Sequence, residues 1–248
     1  SPGDYAAFKF PPLPRHHPAG ASDYSSAVVF SDGGPWKTVG MPVKHAGVYC
    51  LLSHQDSLYA GTWNRYLGEG EGVGIFKLSA KGWQALDGEG HALNIAAAST
   101  MVMTLTSTPG GVYGTYSTDL DRPAWQTPIL RLDNDIVIPV PISDGNGVIM
   151  ASANFNASVW MEDTFIFSSG SSPDNQGGNR LRVWMLNNDG TCTGIGGGQF
   201  GGWNDLTIGS ANPRNYAWIY KLISFGDALV AFIAFGIGGG QGEVWLLE

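Results

Sequence analysis

The sequence has few charged residues and very few cysteines, and its cations are not clustered. Charged residues make up 14% of the 248, with 13 Lys and Arg against 21 Asp and Glu, giving a formal net charge of −8. Because phosphate binding requires a basic surface, we do not expect a nucleic-acid partner. The two cysteines, Cys50 and Cys192, occur in no CxxC or metal-ligand spacing. They form either one disulfide or two buried free thiols.

Long apolar runs and helical periodicity are also missing. No run of about 18 apolar residues occurs, so we predict no membrane span. No stretch keeps a 3.6-residue hydrophobic period over a dozen positions, which argues against a helical fold. Gly, in contrast, is abundant at 36 residues, with nine Trp, nine Tyr and eleven Phe. This composition favours many tight turns and aromatic-rich strands, as in an all-β protein.

Metal-binding spacings are lacking too. The five histidines show no H-x-H or H-x-x-x-H pattern, so we predict neither a metal nor a cofactor. The stretch "NNDGT" at 187–191 resembles part of a calcium loop, but Asn-Asp-Gly between two strands is primarily hairpin-turn chemistry. We therefore interpret it as a turn.

Short runs of Val, Ile, Tyr, Phe, Trp and Thr follow one another from Ser26 onward, separated by Gly, Asp, Asn and Pro clusters. Four predicted hairpins align on the tryptophans, at 48–63, 93–108, 136–155 and 218–235. A third strand follows each of them, at 74–78, 111–116, 181–186 and 243–247. A fourth strand carries Trp83, Trp125 and Trp203 in the first three copies. The repeating unit is therefore a four-stranded antiparallel sheet.

The last copy ends before its fourth strand, and "AVVFSDGGPWKTVG" at 27–40 supplies one. This predicts a small β-propeller of four four-stranded blades, closed by pairing of the N- and C-terminal strands. The interval before Trp203 is long because 158–179 is either an insertion or the remains of a fifth blade, so five blades are the alternative. Residues 1–23, with five Pro, form an extended Pro-rich arm, and 24–248 form a single propeller domain.

The pattern "LYAGTW…GIF" followed by a Trp strand resembles sialidase-like, kelch-like and tachylectin-like propellers. The resemblance is to the β-propeller superfamily in general. "SDGGPW" keeps Ser31, Asp32, Gly33 and Trp36 of the S-x-D-x-G-x-x-W Asp-box in compressed spacing, while "SAKGW" at 79–83 keeps three of its residues. Such remnants do not allow the catalytic residues of any one family to be transferred.

Function in propellers usually lies in the loops between strands two and three and between blades, because these loops share one face of a rigid scaffold. Aromatic rings there can stack on sugars, and amides, carboxylates and guanidinium groups can bind hydroxyls. This predicts a binding surface for a glycan or a glycosylated surface. Its candidate residues are Trp63, Asn64, Arg65, Tyr66, Asp174, Asn175, Gln176, Arg180, Arg214, Asn215 and Tyr216.

The leading hypothesis is a non-enzymatic, lectin-like recognition module, extracellular or on a virion surface, in which oligomers would add avidity. One alternative is a viral or cell-surface attachment protein that binds another protein through its N-terminal arm. The other is a propeller glycoside hydrolase, which needs two carboxylates at a defined separation. Carboxylates that could serve are Glu69, Glu71, Glu89, Asp133, Asp135, Glu162 and Asp163, although most look solvated in Gly-rich or turn segments.

Overall fold

A computed structural model describes residues 4–9, 26–40, 47–63, 74–86, 101–117, 129–140, 142, 155–173, 179–196, 217–235 and 242–247. Their regular elements are all strands: β1 (Asp4–Lys9), β2 (Ser26–Ser31), β3 (Lys37–Thr38), β4 (Gly47–His54), β5 (Ser57–Trp63), β6 (Ile75–Ser79), β7 (Gly82–Ala85), β8 (Met101–Thr108), β9 (Gly111–Ser117), β10 (Ile129–Asp133), β11 (Ile136–Val140), β12 (Phe155–Met161), β13 (Thr164–Pro173), β14 (Asn179–Leu186), β15 (Cys192–Gly196), β16 (Ala217–Phe225), β17 (Ala228–Phe235) and β18 (Gly242–Leu247).

These strands form the antiparallel blades of a small β-propeller, so the predicted fold class is confirmed. Three blades are complete and four-stranded: β4–β7, β8–β11 and β12–β15. The fourth contributes β16–β18, and β1–β3 is a three-stranded N-terminal sheet that packs against β4. The described pairings link β18 to β17 and β2 to β1 and β3. Closure through paired terminal strands stays a prediction.

Two of the predicted hairpins are wrong, because in each of them the order of the strands within the blade is shifted by one. The run at 102–108 is the first strand of the second blade and pairs with β9, while 93–99 lies outside the described residues. The run at 136–140 is the last strand of that blade, and the third blade begins at Phe155. Residues 158–179 are therefore neither an insertion nor a worn blade, because β12 and β13 occupy most of them. Apolar runs alone could not say which neighbour each strand joins.

Near the chain start, Asp4–Lys9 forms an edge strand paired with Ser26–Ser31, so part of the predicted arm lies in a sheet. The edge position agrees with the Pro-rich flanks, since proline is tolerated at sheet edges. The division into an arm and a propeller domain stays a prediction. Both cysteines are free thiols, which decides between the two alternatives for them.

Apolar side chains between successive blades form the core. One cluster joins the first two blades through residues such as Tyr59, Ile75 and Val102, and a second joins the next pair through Ile129 and Phe165. A third lies between the third and fourth blades. Each inner blade is thus covered on both faces, which a single twisted sheet cannot achieve alone.

The Asp-box remnants form equivalent turns. Ser31 Oγ donates to the Gly34 carbonyl at 2.7 Å, and Ser79 Oγ donates to the Gly82 carbonyl at 2.8 Å. Each hydroxyl also accepts a hydrogen bond from the backbone N–H two residues later, that of Gly33 in one turn and that of Lys81 in the other, both at 3.2 Å. The Ser and Gly residues that both remnants share therefore form a local turn. In this turn the serine hydroxyl binds backbone groups that would otherwise pair with a neighbouring strand.

Every blade carries a β-bulge in its first strand. The strand register shifts between Val48 and Cys50, Val102 and Thr104, Phe155 and Ala157, and Ile219 and Lys221. The bulged residue lies six positions before the first turn residue in each case. The fold thus repeats a local distortion that re-aims one residue of each first strand.

Gly61 allows the first two blades to approach each other at this level. A Cβ at that position would lie 2.6 Å from Cys50 Sγ and 2.7 Å from Val102 Cγ1. The Cys50 thiol also points at the Val102 carbonyl, at 3.7 Å. Only glycine fits at position 61 of β5, because a side chain there would overlap Cys50 of β4 and Val102 of β8.

We expect Gly61→Ala to lower the free energy of unfolding by about 1–3 kcal/mol, because the added methyl overpacks the interface between two blades. Urea unfolding followed by tryptophan fluorescence measures this. Gly110→Ala is the matched control, since its Cβ would meet nothing closer than Thr108 Oγ1 at 4.0 Å. Equal stability of the two variants would contradict the close packing at Gly61.

Candidate functional site

The strands of each blade have two different ends. At the turn end, two-residue turns join first strands to second strands, as at Gln55–Asp56 and Glu162–Asp163, whose φ values are all positive. At the other end, which we call the bulge end, lie the bulges and the connections from second to third strands and from blade to blade. Six residues of strand separate the two ends by about 20 Å.

The first strands β4, β8, β12 and β16 pack on one another and line the middle of the ring. Their bulges therefore lie around the mouth of the central channel. Bulges next to functional sites commonly re-aim a side chain. Tyr49 is the bulged residue of β4 and Tyr220 that of β16.

Both tyrosine side chains are open to solvent, with Tyr49 46% and Tyr220 59% exposed. They are close enough to interact: partial burial raises the pKa of Tyr49, and the neighbouring Tyr220 raises it further, with a smaller effect from Cys50. The Tyr49 phenol is therefore neutral at physiological pH and can donate a hydrogen bond. Two exposed rings with hydroxyl groups, drawn from the first and last blades, form the candidate site.

An aromatic ring buries apolar area at little conformational cost, and a phenol hydroxyl supplies a donor and an acceptor. Pyranose and furanose rings present apolar C–H faces next to hydroxyls, so a pair of tyrosines suits such a ligand. Pockets with a few oriented polar groups are the usual form of small-molecule sites. The channel mouth thus offers two aromatic faces and two hydroxyl groups.

The predicted binding residues fall at the bulge end where their backbone is described. Trp63 ends β5 and pairs with Gly47 and Met101. Arg180 lies in β14, paired with Ser172 beyond the bulge of that blade. The side chains of these two, and the other nine residues, lie outside the described part of the chain: Asn64, Arg65, Tyr66, Asp174, Asn175, Gln176, Arg214, Asn215 and Tyr216. Their common surface stays a prediction.

Two segments rich in polar residues belong to hairpins within single blades. Residues 131–136 are the β10–β11 hairpin within one blade and make no connection between blades. Residues 156–163 are β12 and its tight turn. "NNDGT" is a hairpin turn as predicted, in which the Asn187 N–H donates to the Thr191 carbonyl at 2.8 Å.

Four of the seven candidate carboxylates lie at the turn end, far from the tyrosines: Asp133, Asp135, Glu162 and Asp163. Asp135 accepts hydrogen bonds from Lys77 Nζ at 2.5 Å and from the Tyr59 hydroxyl at 3.1 Å. The hydrogen bond to Asp135 is the main reason why the pKa of Lys77 is raised. This group links the first blade to the second and has a structural role.

The described residues contain neither a candidate metal site nor a membrane-spanning helix. In that part of the chain, no group of three His, Cys, Asp or Glu side chains could hold a metal ion. Nor does it contain a helix with the length and apolar character needed to cross a membrane.

The sequence matches no protein-family model and no curated protein. Its fold is similar to solved structures. One is a protein from Parabacteroides distasonis proposed to be a glycoside hydrolase, with 10% identity, a TM-score of 0.44, and coverage of 92% of this chain and 78% of that one. Another is an α-L-arabinofuranosidase from Clostridium thermocellum, with 15% identity, a TM-score of 0.41, and coverage of 93% and 78%.

These likenesses correct one expectation. The prediction that the chain is not an enzyme is contradicted, because the two structures named above are of a protein proposed to be a glycoside hydrolase and of an α-L-arabinofuranosidase. At such identities and TM-scores the likenesses assign neither a substrate nor an active site to this chain.

Tyr49 and Tyr220 are absent from the residues that the sequence singled out. Both stand six positions before a first-hairpin turn, at "YCLLSH" before Gln55 and "YKLISF" before Gly226. Alignment of the repeats on their turns, in place of their tryptophans, would have found them. That alignment still could not have revealed the bulge that turns both side chains outward.

Replacing Tyr220 with Phe should lower the pKa of Tyr49, because it removes the electrostatic effect of Tyr220 that raises this pKa. The pKa should stay above the ordinary tyrosine value, since burial is the larger cause. NMR titration of ¹³Cζ-labelled tyrosine measures it. Tyr113→Phe is the control, as Tyr113 stacks on Phe165 between other blades, with ring centroids 5.0 Å apart. An unchanged Tyr49 pKa in Tyr220→Phe would show that the two rings are not neighbours.

Proposed function

We propose that this protein is a carbohydrate-active propeller that binds a saccharide at the bulge end and hydrolyses a glycosidic bond there. The observation that carries the proposal is the pair of exposed tyrosines, Tyr49 and Tyr220, which separate blades present to the channel mouth. An extracellular location and an attachment role remain predictions, and no described residue favours them.

The tyrosines supply binding, and hydrolysis requires carboxylates. Glycosidases use two carboxyl groups about 5 to 9.5 Å apart, one as acid and the other as base or nucleophile. The candidates at the turn end are too far away to act at the mouth. Glu69, Glu71 and Glu89 belong to the connections β5–β6 and β7–β8, which leave their strands at the bulge end. We infer that the catalytic carboxylates are among these three.

The β5–β6 connection has a rigid base that supports this assignment. Thr62 is fully buried, and its hydroxyl both accepts from the Gly74 N–H at 2.9 Å and donates to the Gly74 carbonyl at 3.2 Å. A backbone bond from the Thr62 N–H to the same carbonyl, at 3.0 Å, adds to this. The two residues that flank the connection carrying Glu69 and Glu71, Thr62 and Gly74, are thus fixed to each other at the bulge end of the first blade.

We expect Tyr49→Ala and Tyr220→Ala each to weaken saccharide binding by about 5- to 30-fold, the equivalent of about 1–2 kcal/mol of lost ring burial. Binding is first sought on a broad oligosaccharide array and then measured by calorimetry. Phe225→Ala is the matched control, because Phe225 is a 74% exposed aromatic at the turn end of the same strand as Tyr220. Saccharide binding that survives both tyrosine changes would refute the site.

Hydrolysis is tested with a panel of aryl glycosides and arabinan or xylan oligosaccharides. We expect at least one of Glu69→Gln, Glu71→Gln and Glu89→Gln to lower kcat by 10³-fold or more, on the order expected when an acid or nucleophile is lost. Glu162→Gln should leave kcat unchanged, since it lies in a turn at the opposite end. Retained activity in all three variants would exclude these carboxylates, and no turnover on any substrate would leave saccharide binding alone.

A further inference from the structure

Lys221 departs from the repeat at a position where the other three blades carry small side chains. The residue that follows the bulge of the first strand is Cys50 in the first blade, Thr104 in the second and Ala157 in the third. In the fourth blade it is Lys221. A small side chain suits this place, because the first strands of successive blades pack on one another there.

The three small residues are used in packing between blades. The Cys50 thiol points at the Val102 carbonyl of the second blade at 3.7 Å, and the Thr104 hydroxyl shares a hydrogen bond of 2.5 Å with a serine of the third blade. Ala157 is 1% exposed in the core between the third and fourth blades. Lys221 is exposed. Its side chain therefore does not fill the place that its counterparts fill, and a departure from a local rule of this kind is typical of functional positions.

The Lys221 ammonium has no carboxylate partner in the part of the chain that the structure describes. The two ion pairs found there join Lys77 to Asp135 and Arg131 to Asp133. The whole chain carries a formal net charge of −8. An unpaired cation in such a chain is a local positive site, and the field around it attracts anionic groups.

Two exposed aromatic rings flank this cation. Tyr220 precedes Lys221 in β16 and is 59% exposed, while Phe232 of β17 is paired with Lys221 and is 38% exposed. Directly paired residues of antiparallel strands lie on the same face of the sheet, with their Cβ atoms about 4.5–5.5 Å apart. The lysine stem can thus lie along the Phe232 ring while its ammonium stays in water. Because Tyr220 interacts with Tyr49, the group adjoins the candidate site.

A cation between aromatic rings suits a sugar that carries an anionic group. An aromatic face stacks on the apolar C–H face of a sugar ring. An ammonium has three donors, and its hydrogen bonds to a carboxylate or a sulfate are strengthened by charge. A neutral saccharide would use the rings alone, whereas an acidic one would use the rings and Lys221 together.

We propose that the site at the bulge end prefers acidic saccharides, and that Lys221 binds their carboxylate or sulfate group. This inference rests on the proposed binding of a saccharide at Tyr49 and Tyr220, and it does not depend on hydrolysis. Lys221 is thus a specificity-determining residue for the charge of the ligand.

Matched pairs of acidic and neutral saccharides test the preference. The probes are oligogalacturonates with their methyl esters, and sulfated with unsulfated galacto-oligosaccharides, printed on one array and then measured by calorimetry. We expect the acidic member of at least one pair to bind about 5-fold more tightly at low salt, on the order of one exposed charge pair. The preference should shrink in about 0.5 M salt, because mobile ions screen an exposed cation.

Three lysine variants of the full chain assign the preference to its residue. Lys221→Met keeps an apolar stem over Phe232 and removes the charge, so it should abolish the preference and leave the affinity for the neutral saccharide within about twofold. Lys221→Arg should retain the preference, since it retains the cation. Lys81→Met is the matched control, because Lys81 is an exposed lysine in the β6–β7 turn at the turn end, and it should behave as the wild type.

The outcomes separate this inference from the proposed function. Neutral saccharides that bind through the tyrosines without any acidic preference would overturn the inference and leave the proposed binding intact, as would a preference that survives Lys221→Met. Failure of every saccharide to bind would overturn both. A preference lost in Lys221→Met and confined to uronates or to sulfated sugars would support the inference and identify the anionic group.

Discussion

The structure depends on the burial of both faces of each blade by its neighbours. One equivalent position in the third strands of the first three blades shows the constraint most clearly, since Ile75, Ile129 and Val183 are completely buried between blades. A twisted four-stranded sheet has two apolar faces and too little material of its own to cover them. Radial repetition solves this, and it ties the stability of each blade to the position of the next. The equivalent residue of the fourth blade, Val244, is 65% exposed.

The same close packing shapes the candidate site. First strands that crowd around one axis must twist strongly, and a bulge in each of them increases the local twist. A bulge leaves backbone groups unpaired, and in the third blade a buried hydroxyl satisfies one of them, since the Ala157 N–H donates to Ser168 Oγ at 3.0 Å. At the equivalent place in the second blade, the hydroxyls of Thr104 and Thr115 share a hydrogen bond of 2.8 Å. Ser168 and Thr115 are both 0% exposed. The bulges that the fold requires are also what presents Tyr49 and Tyr220 to the channel mouth.

The two ends of the strands therefore have different roles. Short turns at one end, with acidic residues such as Asp135 tied to Lys77 and Tyr59, hold neighbouring blades together. The longer connections begin and end at the other end of the strands. The position of a carboxylate decides what it can do, because one at the turn end is too far from the candidate site to act there. This is why Glu69, Glu71 and Glu89, and not the four acidic residues of the turn end, enter the proposed activity.

The sequence by itself determined the class of the fold: alternating apolar strands, Gly-rich turns and recurrent Trp strands specify antiparallel sheets in a radial repeat. It also located the correct hairpins at 48–63 and 218–235, because local turn chemistry is readable within about ten residues. It misplaced the hairpins at 93–108 and 136–155, since pairing between strands is a long-range choice that apolar runs do not encode. Only the tertiary structure decided that Tyr49 and Tyr220, 171 positions apart in number, act on one another, because that proximity arises from closing a ring of blades and not from any local pattern.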